Sequence, residues 1–261
     1  MFSWSGFALA IVVLLAVLPP AAVLSYAFSG RWDRGLWPED PTWAWMAEVA
    51  RSPRVQAAVL QTLALSFASA TLTLLVGGTA TIVARLTSPR VTAWLDTLSL
   101  LPYAIPPVVI AIGALELFVG AWGAWLDLRI VYVVVASPLL FPLLHKTLGA
   151  AMRQLEVAPL MEAAHTLGAT DGFLLRRVLL PLLAPALVAG LLLCWITAAM
   201  EFAIANLLLG GAVEMLQPLV NGMRGVNGHL AAALVVASFA VITAMGMMVE
   251  GLMAWNTRRN S

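Results

Sequence analysis

Charge is what this sequence has least of. Asp, Glu, Lys and Arg make up 10% of its 261 residues, against about 25% in soluble domains. That figure argues against a soluble globular fold. The net charge of +1 gives no basis for nucleic acid as a partner. One cysteine, Cys194, excludes an intrachain disulfide, and within its apolar run it reads as a small packing residue. The first six residues hold no Lys or Arg, so the charged start of a cleavable signal peptide is missing. The long apolar stretch from Phe7 to Phe28 reads instead as an uncleaved membrane helix. No phosphate-binding G-x-x-x-x-G-K-[ST] loop is present; Gly168-Ala-Thr-Asp-Gly172 lacks the Lys and follows no strand. His-Glu-x-x-His and His/Cys clusters are missing, which speaks against a metal centre, and so is a Gly-x-Ser-x-Gly elbow. His145, His165 and His229 stand apart and read as interfacial or loop polar residues. No internal repeat or low-complexity segment appears, so the simplest organisation is one domain over 1–261.

Apolar length is what the sequence has in abundance, with 62% hydrophobic residues. A helix needs about 20 apolar residues to cross the hydrocarbon core. Six runs qualify, at roughly 7–28, 56–84, 93–118, 130–148, 182–207 and 229–254. Backbone groups in lipid must be satisfied within the segment, so these are predicted helices, and no ten-residue alternation suggests a barrel. The expected class is an all-α membrane protein. Pro19-Pro20 should kink the first run. Pro102, Pro106 and Pro107 should disturb the third, and Ser137-Pro138 with Pro142 the fourth. Each group is either a packing kink or a hinge near a translocation path. Residues 29–55 carry Trp32, Trp37, Trp43 and Trp45, as membrane interfaces do, and Pro41–Ala50 could form a short surface helix. Residues 208–228 read as a Gly- and Asn-containing loop. The Gly77-Gly78 pair permits close helix packing.

Glu201 is the most informative single charge, because it lies inside the fifth apolar run. An ionisable group there faces a cavity or a partner; the alternative is a polar contact between helices. Glu116 and Asp96 lie nearer segment ends and read as interfacial. Asn206 and Asn221 are candidates for an outer mouth. With the N-terminus inside, Arg85, Arg90, Lys146, Arg153, Arg176, Arg177, Arg258 and Arg259 face the cytoplasm, against Arg31, Arg34, Arg51, Arg54, Arg129 and Arg224 outside. This is a slight positive-inside bias.

The polar stretch 149–181 is a different kind of feature. Leu160, Ala163, Ala164 and Leu167 share a helical face by their spacing. Gly168 breaks the helix, Thr170 suits the N-cap of the next one and Asp171 its first turn, and Pro181 marks re-entry into an apolar run. Glu162 could simply favour the first turn of a short helix. Yet Glu162-Ala163-Ala164, then Gly168 after three residues, then Val178 after nine, then Leu180-Pro181, resembles the EAA loop of bacterial ABC-importer permeases at every fixed position, with Val178 where Ile is commonest.

The resemblance implies a six-helix type I ABC importer permease (MetI-like) fold in the bacterial inner membrane, multi-pass, with both termini cytoplasmic. It implies that Glu162, Ala163, Ala164, Leu167, Gly168, Leu180 and Pro181 couple the chain to a separate ATPase, with Ala163, Ala164 and Leu167 as the buried side of a helix in a groove. Arg176 and Arg177 would meet acidic partner groups or lipid headgroups. Expected partners are a second permease subunit (identical or related), two ATP-binding subunits, a periplasmic or extracellular substrate-binding protein and the bilayer. No cofactor belongs to this chain, ATP being bound by the partner. Glu201, Pro106 and Asn206 are the candidates for the path. In the polyamine, iron(III) and phosphonate group of permeases, which this chain most resembles, an acidic residue often stands near the position of Glu201. The expected solute is accordingly 2-aminoethylphosphonate, a polyamine or iron(III). A stand-alone secondary transporter or channel would favour an internal repeat and more buried charge. An intramembrane enzyme would need a catalytic constellation, and none is visible.

Overall fold

The computed structural model describes residues 4–32, 35, 37–121 and 126–259; Arg34, counted above with the outer charges, lies outside them. The chain parts into two compact units. Residues 1–60 and 215–244 form the first, and residues 61–214 and 245–261 the second.

The first unit holds α1 (Trp4–Ala27), a two-stranded antiparallel ribbon of β1 (Ser29–Arg31) and β2 (Glu39–Pro41), and α2 (Ala44–Arg51). It also takes the start of α3 (Pro53–Thr87). The surface helix expected near 41–50 is therefore present. The ribbon gave no signal, because three-residue strands are too short for alternation to show. The core of the unit is the end of α1 against Val49, Ala58, Leu219 and Ala233. Trp45 ties the ribbon down by donating its indole N–H to the Ser29 carbonyl at 3.0 Å. α1 stays continuous across Pro19-Pro20, so the proline pair does not interrupt it. Residues 208–228 are not all loop: Leu216–Met223 forms a helix, α10.

The second unit is built on α3, α6 (Leu128–Gln154) and α8 (Asp171–Ala199). Leu140, Leu144 and Leu148 of α6 bury against Ala70 of α3 and against Cys194 and Ala198 of α8. Small residues let these helices approach closely, as in lipid they must. A Cβ on Gly77 would meet Phe141 at 2.5 Å, and one on Gly190 would meet Leu144 at 2.6 Å. Polar bonds join α3 to α6 as well. Ser137 donates to the Ser69 carbonyl at 3.1 Å, and Thr73 Oγ1 lies 2.9 Å from the Ser137 carbonyl. Against expectation, α6 runs unbroken through Pro138 and Pro142. The single Ser137 hydroxyl proton is shared between the Ser69 carbonyl and the Val133 carbonyl of its own helix.

The third apolar run does break. α4 (Pro89–Ala104) and α5 (Pro107–Phe118) meet at 88°. Ile105, between them, is extended at φ −105°, ψ 122°. The proline ring disfavours the helical region for the residue before it, and neither Pro106 nor Pro107 can donate a backbone bond. Among the described residues, five helices are thus long and apolar enough to span a membrane, or six with the bent pair as one span.

The fifth run was misplaced at both ends. Its helix starts at Asp171, inside the polar stretch, and passes through Pro181 and Pro185 without a break. It stops at Ala199, and a separate short helix, α9, covers residues 203–209.

Candidate functional site

The polar stretch folds as its spacing predicts, into two helices joined at a glycine. α7 (Val157–Thr166) ends on Gly168 at φ +79°. The Gly168 N–H donates to the His165 carbonyl at 2.9 Å and the Ala169 N–H to the Ala164 carbonyl at 3.1 Å. This pair of bonds is the Schellman motif, whose left-handed residue is nearly always glycine. His165 Nε2 lies 2.8 Å from Asp171 Oδ1, which closes the turn from the other side. His165 therefore lies in the last turn of α7 and not in a loop, partnered by Asp171.

Packing fixes which side of α7 is free. Val157 and Met161 join a core with Ile82, Met152, Leu179 and Leu183. Ala164, one turn on from Met161, is half-buried, whereas Glu162 and Ala163 are exposed. Ala164, expected on the docking side with Ala163 and Leu167, is half-buried in the same helical row as Val157 and Met161. Leu167 is 87% exposed and Phe173 57%. His165 and Asp171 are exposed in the same turn, so the tip carries polar groups as well as apolar ones. An exposed apolar patch in such a setting marks a contact surface. Leu180 and Pro181 are exposed within α8, nine and ten residues after its first residue, Asp171.

A second feature lies where α4 bends. A cavity of about 310 Å³ is walled by residues 102–107, by Ala136, Leu139 and Leu140 of α6, by Thr197 and Ala198, and by Glu201 and Ile204. Two of the three path candidates, Pro106 and Glu201, meet here. Asn206 is exposed on α9 and is not among the lining residues. Glu201 does not sit within a helix as its apolar run suggested. Oε1 accepts from the Ile204 N–H at 3.0 Å, and Oε2 accepts from Ile204 at 3.1 Å and Ala205 at 3.1 Å. It caps α9, where unbonded amides and the positive end of the helix dipole favour a carboxylate. A carboxylate has about four acceptor positions, so one on Oε1 is left toward the cavity.

A buried polar cluster went unnoticed in the sequence. His145 is 2% exposed. Its Nδ1 is 2.8 Å from Thr81 Oγ1 and its Nε2 is 2.7 Å from Asp96 Oδ1. Thr81 gives its one hydroxyl proton to the Gly77 carbonyl at 2.7 Å, so both ring nitrogens face oxygen acceptors. Arg85 reaches the same Asp96 oxygen at 3.3 Å. The cluster ties α3, α4 and α6 together a few residues before the cavity wall. His145 is accordingly neither interfacial nor in a loop. A signal was there: Asp96 and His145 are both ionisable residues inside apolar runs. Asp96→Ala is expected to lower thermal stability by roughly 1–3 kcal/mol, because it strands the buried imidazole, and toward the lower end because Asp96 is half exposed. Thermal denaturation of the purified protein checks this; an unchanged midpoint would refute the tie.

Apolar helices of membrane length, one polar helical loop and a proline-broken span define a multi-pass membrane protein. Residues 74–261 match the family described as binding-protein-dependent transport system inner membrane component, and the chain belongs to that family. It is similar to the sulfate transport system permease protein CysT of Escherichia coli (strain K12), at 34% identity over 62% of this chain and 61% of that one. The match thus spans less than two thirds of that relative's length. It is similar also to the spermidine/putrescine transport system permease protein PotC of Haemophilus influenzae, at 26% identity over 76% of this chain and 80% of that protein. A third relative is the putative 2-aminoethylphosphonate transport system permease protein PhnV of Salmonella typhi, at 27% identity over 69% and 68% of the two chains. The fold matches an inward-facing MetNI methionine ABC transporter structure with a TM-score of 0.62 at 18% identity, covering 78% of this chain and 98% of that one. It matches a bacterial alginate ABC transporter structure with a TM-score of 0.67 at 18% identity, covering 96% and 95%. The fold is thus that of ABC-importer permeases. The family is one of transport components and not of enzymes.

Proposed function

We propose that this chain is the permease subunit of an ATP-driven importer, forming part of the solute path and taking its power stroke from an ATPase on a separate polypeptide. The observation that carries the reading is the tip of α7, where Leu167 stands exposed beside Glu162 and Ala163 on a turn locked by Gly168. A short helix with small side chains and one protruding Leu suits insertion into a groove of a soluble partner. Closure of two such ATPases would push on the loop, and α8, continuous from Asp171 to Ala199, would carry that push into the membrane as one rigid rod. The loop would then face the cytoplasm, with both termini on the same side. A second permease subunit would complete the path, and a substrate-binding protein would deliver solute. Glu201, Pro106 and the broken span are proposed as path elements. The proposed solute is a small ion, such as 2-aminoethylphosphonate, a polyamine or iron(III); the relatives named for sulfate, spermidine/putrescine and 2-aminoethylphosphonate support an ion of that size. Purified alone, the chain should hydrolyse no ATP, and from membranes it should co-purify with a P-loop ATPase. Solute uptake into vesicles that hold this chain and no ATPase would overturn the reading and favour a stand-alone transporter.

A further inference from the structure

A groove of about 400 Å³ lies in the first unit, lined by the last turns of α1 and the first turns of the final helix α11 (Gly228–Arg259). Its floor is aliphatic and shallow-sided: Ala22, Val23, Ala231, Ala232 and Val235. These residues belong to the two apolar spans Gly6–Ala27 and Gly228–Met247, so the floor lies at the depth of acyl chains. The rim has a different chemistry, with Tyr26, Trp32 and Arg224.

The rim is built and not incidental. Tyr26 stacks on His229 with ring centres 4.0 Å apart, and Trp45 lies parallel on His229 at 5.8 Å. His229 Nδ1 is 2.9 Å from the Tyr26 carbonyl, which can only accept, so that nitrogen donates. Gly228 leaves room for the tyrosine ring; a Cβ there would stand 3.1 Å from it. The Trp32 ring is tilted against Tyr26, with ring centres 6.1 Å apart. Tyrosine and tryptophan at helix ends mark the level of lipid headgroups. Arg224 is exposed, and among the described residues it makes no ion pair. Among the described residues, no acidic residue lines the groove. An aliphatic floor, a headgroup-level aromatic rim and one exposed guanidinium are complementary to a single ligand that is apolar at one end and anionic at the other.

We propose that this groove is a binding site for one anionic phospholipid, with an acyl chain along the floor and the phosphate held by Arg224. The full-length chain should be reconstituted in bilayers of phosphatidylglycerol and phosphatidylcholine with matched acyl chains, then extracted and its retained lipid counted by native mass spectrometry. Wild-type protein is expected to retain phosphatidylglycerol in preference to phosphatidylcholine. Arg224→Gln should weaken that preference about tenfold, the loss of one charge-assisted bond, and Arg224→Lys should restore part of it. Ala232→Phe, which fills the floor, should remove both lipids while helical content is kept. Undiminished preference in Arg224→Gln, or full retention in Ala232→Phe, overturns the proposal. So does cross-linking of position 232 to a second copy of the chain with no lipid retained, which would make the groove a subunit contact.

Discussion

Gly168→Pro is expected to abolish solute uptake while membrane insertion persists. Gly168 sits at φ +79°, a value the proline ring, fixed near −65°, cannot reach. Its N–H, which donates to the His165 carbonyl, would also vanish. A proline cannot hold the left-handed geometry of this turn at all, and losing the bond alone costs about 1 kcal/mol. That exceeds what a ten-residue helix supplies by itself, since isolated helices under about 12 residues are marginal. The turn would open, His165 and Asp171 would part, and the Leu167 tip would leave its position. The spanning helices carry none of these bonds, so the protein should still insert. Uptake in whole cells, membrane fractionation and pull-down of the ATPase separate the effects. Normal uptake at normal expression would remove the loop from the coupling role. Glu162→Lys should act in the same direction by reversing the charge on the exposed side of α7, without altering the turn.

Glu201 should show a split between two substitutions. Glu201→Ala removes every acceptor for the Ile204 and Ala205 amides, and stability should fall by about 0.5–2 kcal/mol, the usual worth of a helix cap. Glu201→Gln keeps one carbonyl oxygen on those amides but loses the charge at the cavity wall. Its stability should lie near that of the wild type, and its uptake should fall more than its assembly does. Equal uptake in the glutamine variant and the wild type would make Glu201 a cap and nothing more. Comparable losses of stability in both would show that the charge itself, facing the dipole of α9, holds the break in place.

Some of this molecule was legible from composition and local pattern. The apolar runs locate the membrane helices, because a helix in lipid satisfies its own backbone and needs only length and hydropathy. The turn at Gly168 and the break at Ile105-Pro106 were legible for a similar reason: positive φ and the missing proline N–H are properties of single residues and their immediate neighbours. Where longer-range packing enters, sequence reading loses the thread. Pro138 and Pro142 look like breaks of the same kind as Pro106, yet their helix is packed against α3 and bonded to it through Ser137 and Thr73. Ala163 and Ala164 look equivalent, and only the core around Met161 tells them apart.

The sequence by itself determined that this chain lives in a membrane, that it has a helical turn at Gly168, and which family that turn resembles. These depend on hydropathy and on the conformational limits of glycine and proline, which act within a few residues. The tertiary structure alone decided that Glu201 caps a helix at a cavity wall, and that His145 meets Asp96 from 49 positions away. It also decided that Arg224 stands at the mouth of a groove floored by α1. Each is a meeting of side chains from separate helices. The energy of such a meeting belongs to the packed helices, so no spacing in the chain records it.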